Sequence, residues 1–410
     1  MRKVLFLTVV GIILTLAISA KSFAGEVDIL VDKLVEKGIL TPVEAQIVLD
    51  ETKHEVAKEV AQGKSYALPK WAQTIKFKGD LRTRYQGEKQ KGSEERHRGR
   101  IRFRLGSEMK VTDSVKVAAG LATGGTDPRS TNETLDNTFE TPDIRLDYAY
   151  AQYAPVSWLT LMGGKIKGTP FWTPSDLLWD SDINPDGAAI NLHHGLSSNI
   201  DGFFNAGFFI LDEASSDTSD PFMYVLQPGV DVKFNDDINL KTAIAYYGFD
   251  NIKGSTLDHS SGTNSLSGGG LKYNYDSFGV STELGFKNPL GIEALPYFAL
   301  IGEYINNLDP SSDNDGFLVG CAFGDKKVGK KGQWQAKYLY RRLERDAFPD
   351  TFPDSDFYGG ETNSKGHEAI FQYGLFDNVI LGLDYYYSEP IKGATRNQEY
   401  LFQTDIVFKF

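Results

Sequence analysis

The chain has 410 residues, a net charge of −12, 12% aromatic residues, 41 Gly, 4 Met and one Cys. The acidic balance argues against nucleic acid as a partner, and a lone Cys321 excludes an internal disulfide. A chain this long makes one very large β-domain or about two or three ordinary ones, and the Gly and aromatic load leans toward β.

Residues 1–24 read as a secretory leader. Arg2 and Lys3 precede the apolar run "VLFLTVVGIILTLAI", and "SFA" puts small residues Ser22 and Ala24 before the cleavage point. A transmembrane anchor is the alternative, but the run is shorter than the ~20 residues a spanning helix needs. No cysteine follows the cleavage point, which argues against a lipid anchor there. No later apolar run approaches that length, so the rest is either soluble or meets a membrane with strands.

Residues 25–66 predict a helical hairpin and its linker. "EVDILVDKLVEKGIL" places Ile29, Leu30, Leu34 and Val35 on one stripe, with Gly38 as its C-terminal stop. "TPVEAQIVLDETKHEVAKEV" opens with Thr41 as N-cap, Pro42 at the first helical position and Glu44 three residues on. "KSYALPKW" is the linker.

From residue 67 to 410 the pattern is β, with apolar and polar residues alternating. "TIKFKGDLRTRYQ" sets Ile75, Phe77, Leu81 and Tyr85 against Lys76, Lys78, Asp80, Arg82 and Arg84. "RHRGRIRFRLGSEMK" sets Ile101, Phe103 and Leu105 against Arg98, Arg100, Arg102 and Arg104. Comparable segments begin near residues 114, 142, 157, 186, 199, 221, 237, 276, 295, 315, 332, 365, 379 and 398, giving ~16 strands. The segment at 186–194 alternates most weakly, which leaves about 14 or 18 as neighbouring counts. The last segment, "LFQTDIVFKF", stops on its own aromatic: Phe402, Thr404, Ile406, Phe408 and Phe410 share one face.

Connection lengths alternate. "GEKQKGSEE" is followed by "VTDS", a loop around 125–141 by "APVS", "GTPFWTPSDLLWDSDINPD" by "GLSS", and the 250–275 stretch by "NPLGIEA". Long loops on one rim and short turns on the other characterise outer-membrane barrels. An apolar face in lipid needs no soluble tail, and the last strand must pair with the first because no backbone group can be left open in hydrocarbon. The predicted fold is an all-β transmembrane antiparallel barrel of ~16 strands with a short periplasmic helical hairpin. Tyr385 and Tyr387, and Trp334, Tyr338 and Tyr340, are candidates for aromatic girdles at the membrane surfaces. Cys321 is expected to face lipid or a neighbour.

The leader, the "LVEKGILTPVEA" hairpin, the barrel-length β region, the "WDSDINPDGAA" stretch and Phe410 together resemble the putative porin family of Gram-negative bacteria. The resemblance covers the whole chain. It implies an outer-membrane channel for ions and small hydrophilic solutes, with no catalytic residues and no cofactor. The terminal Phe408 and Phe410 resemble the assembly signal of outer-membrane barrels.

Two features would shape such a pore. Lys76, Lys78, Arg82 and Arg84 on the first strand and Arg98, Arg100, Arg102 and Arg104 on the second form a basic lumen wall, to which Arg145, Lys165, Lys337 and Arg341 can add. The alternative is a face that is solvated or paired with acids. The loop at about 166–187 carries Asp176, Asp180, Asp182 and Asp186 beside Phe171, Trp172, Leu177, Leu178 and Trp179, an apolar load unsuited to open water. It is the third external loop, the one that folds inward in general porins, although it lacks their "PEFGGD" motif. Packing against a neighbouring subunit is the alternative, and a homotrimer is a possible assembly.

Other classes fare less well. An outer-membrane enzyme would need more than His193 and His194 in "NLHHGL", which fall at a predicted periplasmic turn without a nucleophile motif. "DNDG" at 313–316 has Leu318 where a calcium loop needs its turn glycine, so no metal is expected. A tether holding the cell wall through residues 25–62 is the remaining rival. Active transporters carry a far larger plug.

Overall fold

The computed structural model of the protein describes residues 31, 33–61, 72–213, 215, 219–393 and 397–410. The leader, Ile29, Leu30 and the linker lie outside the described residues. Two compact units divide at Gln73 and Thr74.

In the first unit, residues 33–36 are helical and stop at Gly38, whose φ of +68° suits glycine. The Ile39 amide donates to Leu34 O at 2.9 Å and the Gly38 amide to Val35 O at 2.9 Å, a Schellman arrangement. Helix α1 (Pro42–Ala61) then begins on a capping box. The Thr41 amide donates to Glu44 Oε2 at 2.9 Å, and the Glu44 amide donates to Thr41 Oγ1 at 3.3 Å.

The second unit is a closed antiparallel barrel of sixteen strands. In chain order these are β1 (Lys76–Gln90), β2 (Arg96–Lys110), β3 (Val115–Thr123), β4 (Ile144–Val156), β5 (Leu159–Lys165), β6 (Asp186–Ser197), β7 (Ile200–Ile210) and β8 (Phe222–Lys233). They continue as β9 (Ile238–Asp250), β10 (Ser277–Lys287), β11 (Tyr297–Asn307), β12 (Asp315–Gly324), β13 (Trp334–Leu343), β14 (Ser364–Phe376), β15 (Val379–Pro390) and β16 (Glu399–Lys409). Each pairs with its sequence neighbours, and β16 returns to β1 from Asp80↔Lys409 to Gln90↔Glu399. Gly79 and Phe410 extend this seam by exchanging backbone hydrogen bonds of 2.8 and 3.0 Å.

Each strand begins within two residues of its expected start. The weak segment is a full strand, β6, paired on both sides. β1 runs further than its sequence suggests, because residues 87–90 pair with β16. The first long connection thereby shrinks to 91–95.

The outer face carries the exposed apolar side chains, among them Phe77, Leu81, Tyr85, Leu300, Val319, Tyr338, Tyr385, Phe402, Phe408 and Phe410. Cys321 faces outward between Val319 and Phe323, as expected of a small apolar residue. Aromatics cluster near the rims: Tyr387 lies 5.2 Å from Tyr400, and Phe298 5.1 Å from Phe323. His193 and His194 belong to β6 rather than to a turn, so they point to opposite faces of the strand.

The apolar core lies inside the barrel. Loops L3 (166–185), L5 (251–276) and L7 (344–363) bury Phe171, Leu177, Trp179, Ile252, Tyr275, Phe348 and Phe352 against lumen-facing residues of β6–β13 such as Phe209, Tyr247 and Leu339. A fully buried side chain of this kind contributes about 1.5–3 kcal/mol, so these loops pack on the β6–β13 wall as a domain core would.

Candidate functional site: the loop-filled lumen

The rest of the lumen wall is formed by β14–β16 and β1–β4, where Phe357 and Tyr358 of L7 pack on Tyr386 and Leu401. Alternation on β1 and β2 turns Lys76, Lys78, Arg82, Arg84, Arg98, Arg100, Arg102 and Arg104 inward. They do not form an unopposed basic wall. Arg102 and Arg104 both grip Asp80, at 2.8 Å each. Arg84 holds Asp405 through two nitrogens, at 2.7 and 2.8 Å, and Asp356 at 2.9 Å. Arg82 lies 3.5 Å from Asp405, and Arg98 donates to Glu88 at 2.9 Å. Arg100 donates only to the neutral Gln86, at 3.2 Å. This is the acid-paired alternative. It follows from register, since Asp80 stands directly opposite Arg104, and Arg84 opposite Asp405. Among the described residues, Lys76, Lys78 and Lys337 have no carboxylate within ion-pair distance.

Loop L3 crosses the lumen. Its Asp182 meets Arg104 at 3.3 Å on one side and accepts from Thr131 Oγ1 of L2 (124–143) at 3.0 Å. Its Asp176 meets Arg341 of β13 at 3.1 Å on the other. The Trp172 amide donates to Gln227 of β8 at 2.8 Å, and Ser175 bonds to Glu303 of β11. Asp186 is outside this set: it is the first residue of β6 and pairs with Lys165, the last of β5, at 2.8 Å. Arg145 donates into L2 at Asp127 O, 2.7 Å.

L7 locks onto L3. The Asp180 amide donates to Phe352 O at 2.8 Å, and Asp180 Oδ2 accepts from the Ser355 amide at 2.9 Å. Trp179 stacks on Phe352 with centroids 5.1 Å apart and planes 6° from parallel. Asp354 faces Arg341 at 3.5 Å, and the Arg341 guanidinium lies 3.6 Å from the Phe357 centroid. Sequence reasoning missed L7. The signal was present in "RDAFPDTFPDSDFYGGET", which is aromatic, Pro-rich and acidic like L3.

These loop acids divide by environment. Burial, and then the neighbouring Asp182 carboxylate, pushes the Asp180 carboxyl up to about 8. Burial likewise lifts Asp354 well above the usual range, Asp176 adding to it and Arg341 opposing. For Asp356 burial works the same way and is the largest single influence, but the charge and hydrogen bond of Arg84, with Arg82 and Gln403, together outweigh it and hold the carboxyl below its ordinary value. Among the ion-paired arginines of β1 and β2, Arg104 keeps the most open side chain, 34% exposed, and Arg84 the least, 3%. Arg104 and Asp182 both border an opening at the root of L3.

A sixteen-stranded closed barrel whose long loops fold into a charged lumen has the architecture of a porin. The sequence matches the family described as putative porin over residues 88–278 and 273–410, and the chain belongs to that family. A structure titled as the high-pH form of OprB of Pseudomonas putida is similar at a TM-score of 0.54 and 10% identity, covering 83% of this chain and 95% of that one. Two others match less closely. OmpT of Vibrio cholerae lacking loop L8, an outer membrane protein, gives a TM-score of 0.47 at 14% identity over 82% and 99% of the two chains. A mutant porin of Rh. blastica gives 0.44 at 12% identity over 82% and 100%. At these identities the likeness is one of fold. No curated protein matches the chain.

Proposed function

We propose that the chain is an outer-membrane porin: a narrow, passive channel for ions and small hydrophilic solutes. Leader 1–24 is removed on export, Phe408 and Phe410 serve as the assembly signal, and no residue acts as an enzyme's. The family and the fold support the channel. The observation that carries its narrowness is the contact of L3 Asp182 with Arg104, the most open of the ion-paired arginines on β1 and β2. Fixed charges of opposite sign across a narrow gap set a transverse field there, and pore width and field determine what passes. A homotrimer belongs to the same reading; exposed Leu135, Phe139, Ile144 and Leu146 offer it an apolar surface.

Planar-bilayer recordings test this. Arg104→Gln should shift the reversal potential toward cations and Asp182→Asn toward anions. Arg102 still holds Asp80 in the first variant. Both shifts should fade at 1 M salt, where screening shortens to ~3 Å. If neither variant moves the reversal potential at low salt, ions do not pass this contact.

A further inference from the structure

Beneath L3, toward the short-turn rim, a cavity of about 330 Å³ opens between the β1–β2 wall and the root of L3. Three lysines line it: Lys78 from β1, Lys409 from β16 and Lys167 from the start of L3. None has a carboxylate within ion-pair distance among the described residues. The acids that share the cavity are already engaged. Asp80 is held by Arg102 and Arg104, Asp182 by Arg104 and Thr131, and Asp147 faces Arg145 at 4.0 Å. Asn184 is also occupied, accepting from the Gly168 amide and donating to Asp147 O. The cavity thus sorts its cations into arginines fixed by carboxylates and lysines without a carboxylate partner.

We infer that this cavity is a subsite for a small multivalent oxyanion, a polycarboxylate or a phosphate, on its way through the channel. The inference rests on the porin reading and names the solute class. Lys409 stands opposite Asp80 across the β1–β16 seam, so Lys78 is its diagonal neighbour on the same face. Diagonal positions lie roughly 7–8 Å apart, within the span of two acid groups on one small molecule. Lys167 closes the third side. Its ammonium lies 4.7 Å from the Tyr148 centroid and 3.4 Å from the Tyr148 hydroxyl, which leaves the hydroxyl proton free for an acceptor. Ammonium groups on flexible stems suit an anion that must be held briefly and released, because each turns its donors independently. Tyr148 reaches this place only because Gly106 leaves room: a Cβ there would lie 1.9 Å from the hydroxyl.

The test is block of chloride current in planar bilayers by sodium citrate, and separately by inorganic phosphate, added on the short-turn side. Wild-type protein should show a concentration-dependent fall in chloride conductance with both, stronger for citrate. The triple variant Lys78→Gln, Lys167→Gln, Lys409→Gln should need at least about tenfold more citrate for half-block, and each single variant should lie between. Lys241→Gln, which removes a lumen lysine packed over Trp172 outside the cavity, should leave block unchanged. A wild-type channel that conducts chloride but is not blocked by either anion overturns the subsite and leaves the porin reading standing. Equal loss of block in Lys241→Gln also overturns it. Absence of any conductance removes both.

Discussion

Arg84 binds two carboxylates from distant parts of the chain, Asp405 of the closing strand and Asp356 of L7. Its side chain is 3% exposed and that of Asp405 8%. Removing one partner of a buried ion pair leaves an uncompensated charge and costs ~3–5 kcal/mol. Arg84→Ala should therefore lower the temperature at which the folded band converts to the unfolded one on gels of samples heated in steps. Arg84→Lys should recover only part, since an ammonium cannot reproduce the two-pronged contact. A conversion temperature unchanged in Arg84→Ala would show that the pair adds nothing. The same reasoning governs how the basic face should be probed. Replacing Arg102, buried on Asp80, disturbs the wall itself, whereas Arg104 is held more openly. That distinction could not be read from the run "RGRIRFRL", where the four arginines look alike. It depends on which cross-strand partner each meets.

Strands were legible in the sequence because a period of two is local, and an apolar outer face over a polar inner one imposes it at every step. Phe77, Leu81 and Tyr85 declare their face without reference to anything distant. L3 was legible for a different reason: Phe171 and Trp179 have no place in open water. L7 satisfies the same criterion with Phe348, Phe352 and Phe357. L3 had, besides its composition, its place as the third external loop; L7 had composition alone. The pairing of the two loops, through Asp180 and the residues around Phe352, depends on a fit that no local pattern encodes. That contact carries a pH dependence. Asp180 ionises in the fold near 8, against 3.8 for the free side chain, so its charged form is the disfavoured one. The stability this lends to protonated L3–L7 packing is complete below 3.8 and lost as pH rises through about 8. Asp354 adds to the effect in the same direction. Asp182 and Asp356 repel the new charge on Asp180, and Asp176 and Asp356 repel that on Asp354, where Arg341 offsets part of it. Conductance should accordingly rise between about pH 6 and 9 as the loops loosen. Asp180→Asn, which keeps an acceptor for the Ser355 amide, should flatten that rise. A wild-type conductance flat across this range would sink the argument.

At the scale of the whole molecule, the two units separate at Gln73. The family match falls wholly within the barrel, at 88–410. Every strand of the barrel finds both its partners among the other fifteen. Deleting 25–62 behind an intact leader should then leave a compact band that shifts on heating; its loss would make the helices part of barrel assembly. The barrel's closing seam has a kinetic consequence. Arg84 and Asp405 are 321 residues apart in sequence. By the logarithmic scaling of loop closure, bringing such distant segments together costs ~5 kcal/mol of chain entropy before any ladder bond forms. Most of that cost is unavoidable unless the intervening hairpins have already zipped, because each hairpin shortens the effective loop. Non-local pairing of this kind is slow and leaves unpaired strand edges exposed meanwhile. The seam is therefore expected to be the last contact formed. Until it forms, β1 and β16 are two open edges, and the slowest step in making the protein is the meeting of its first strand with its last.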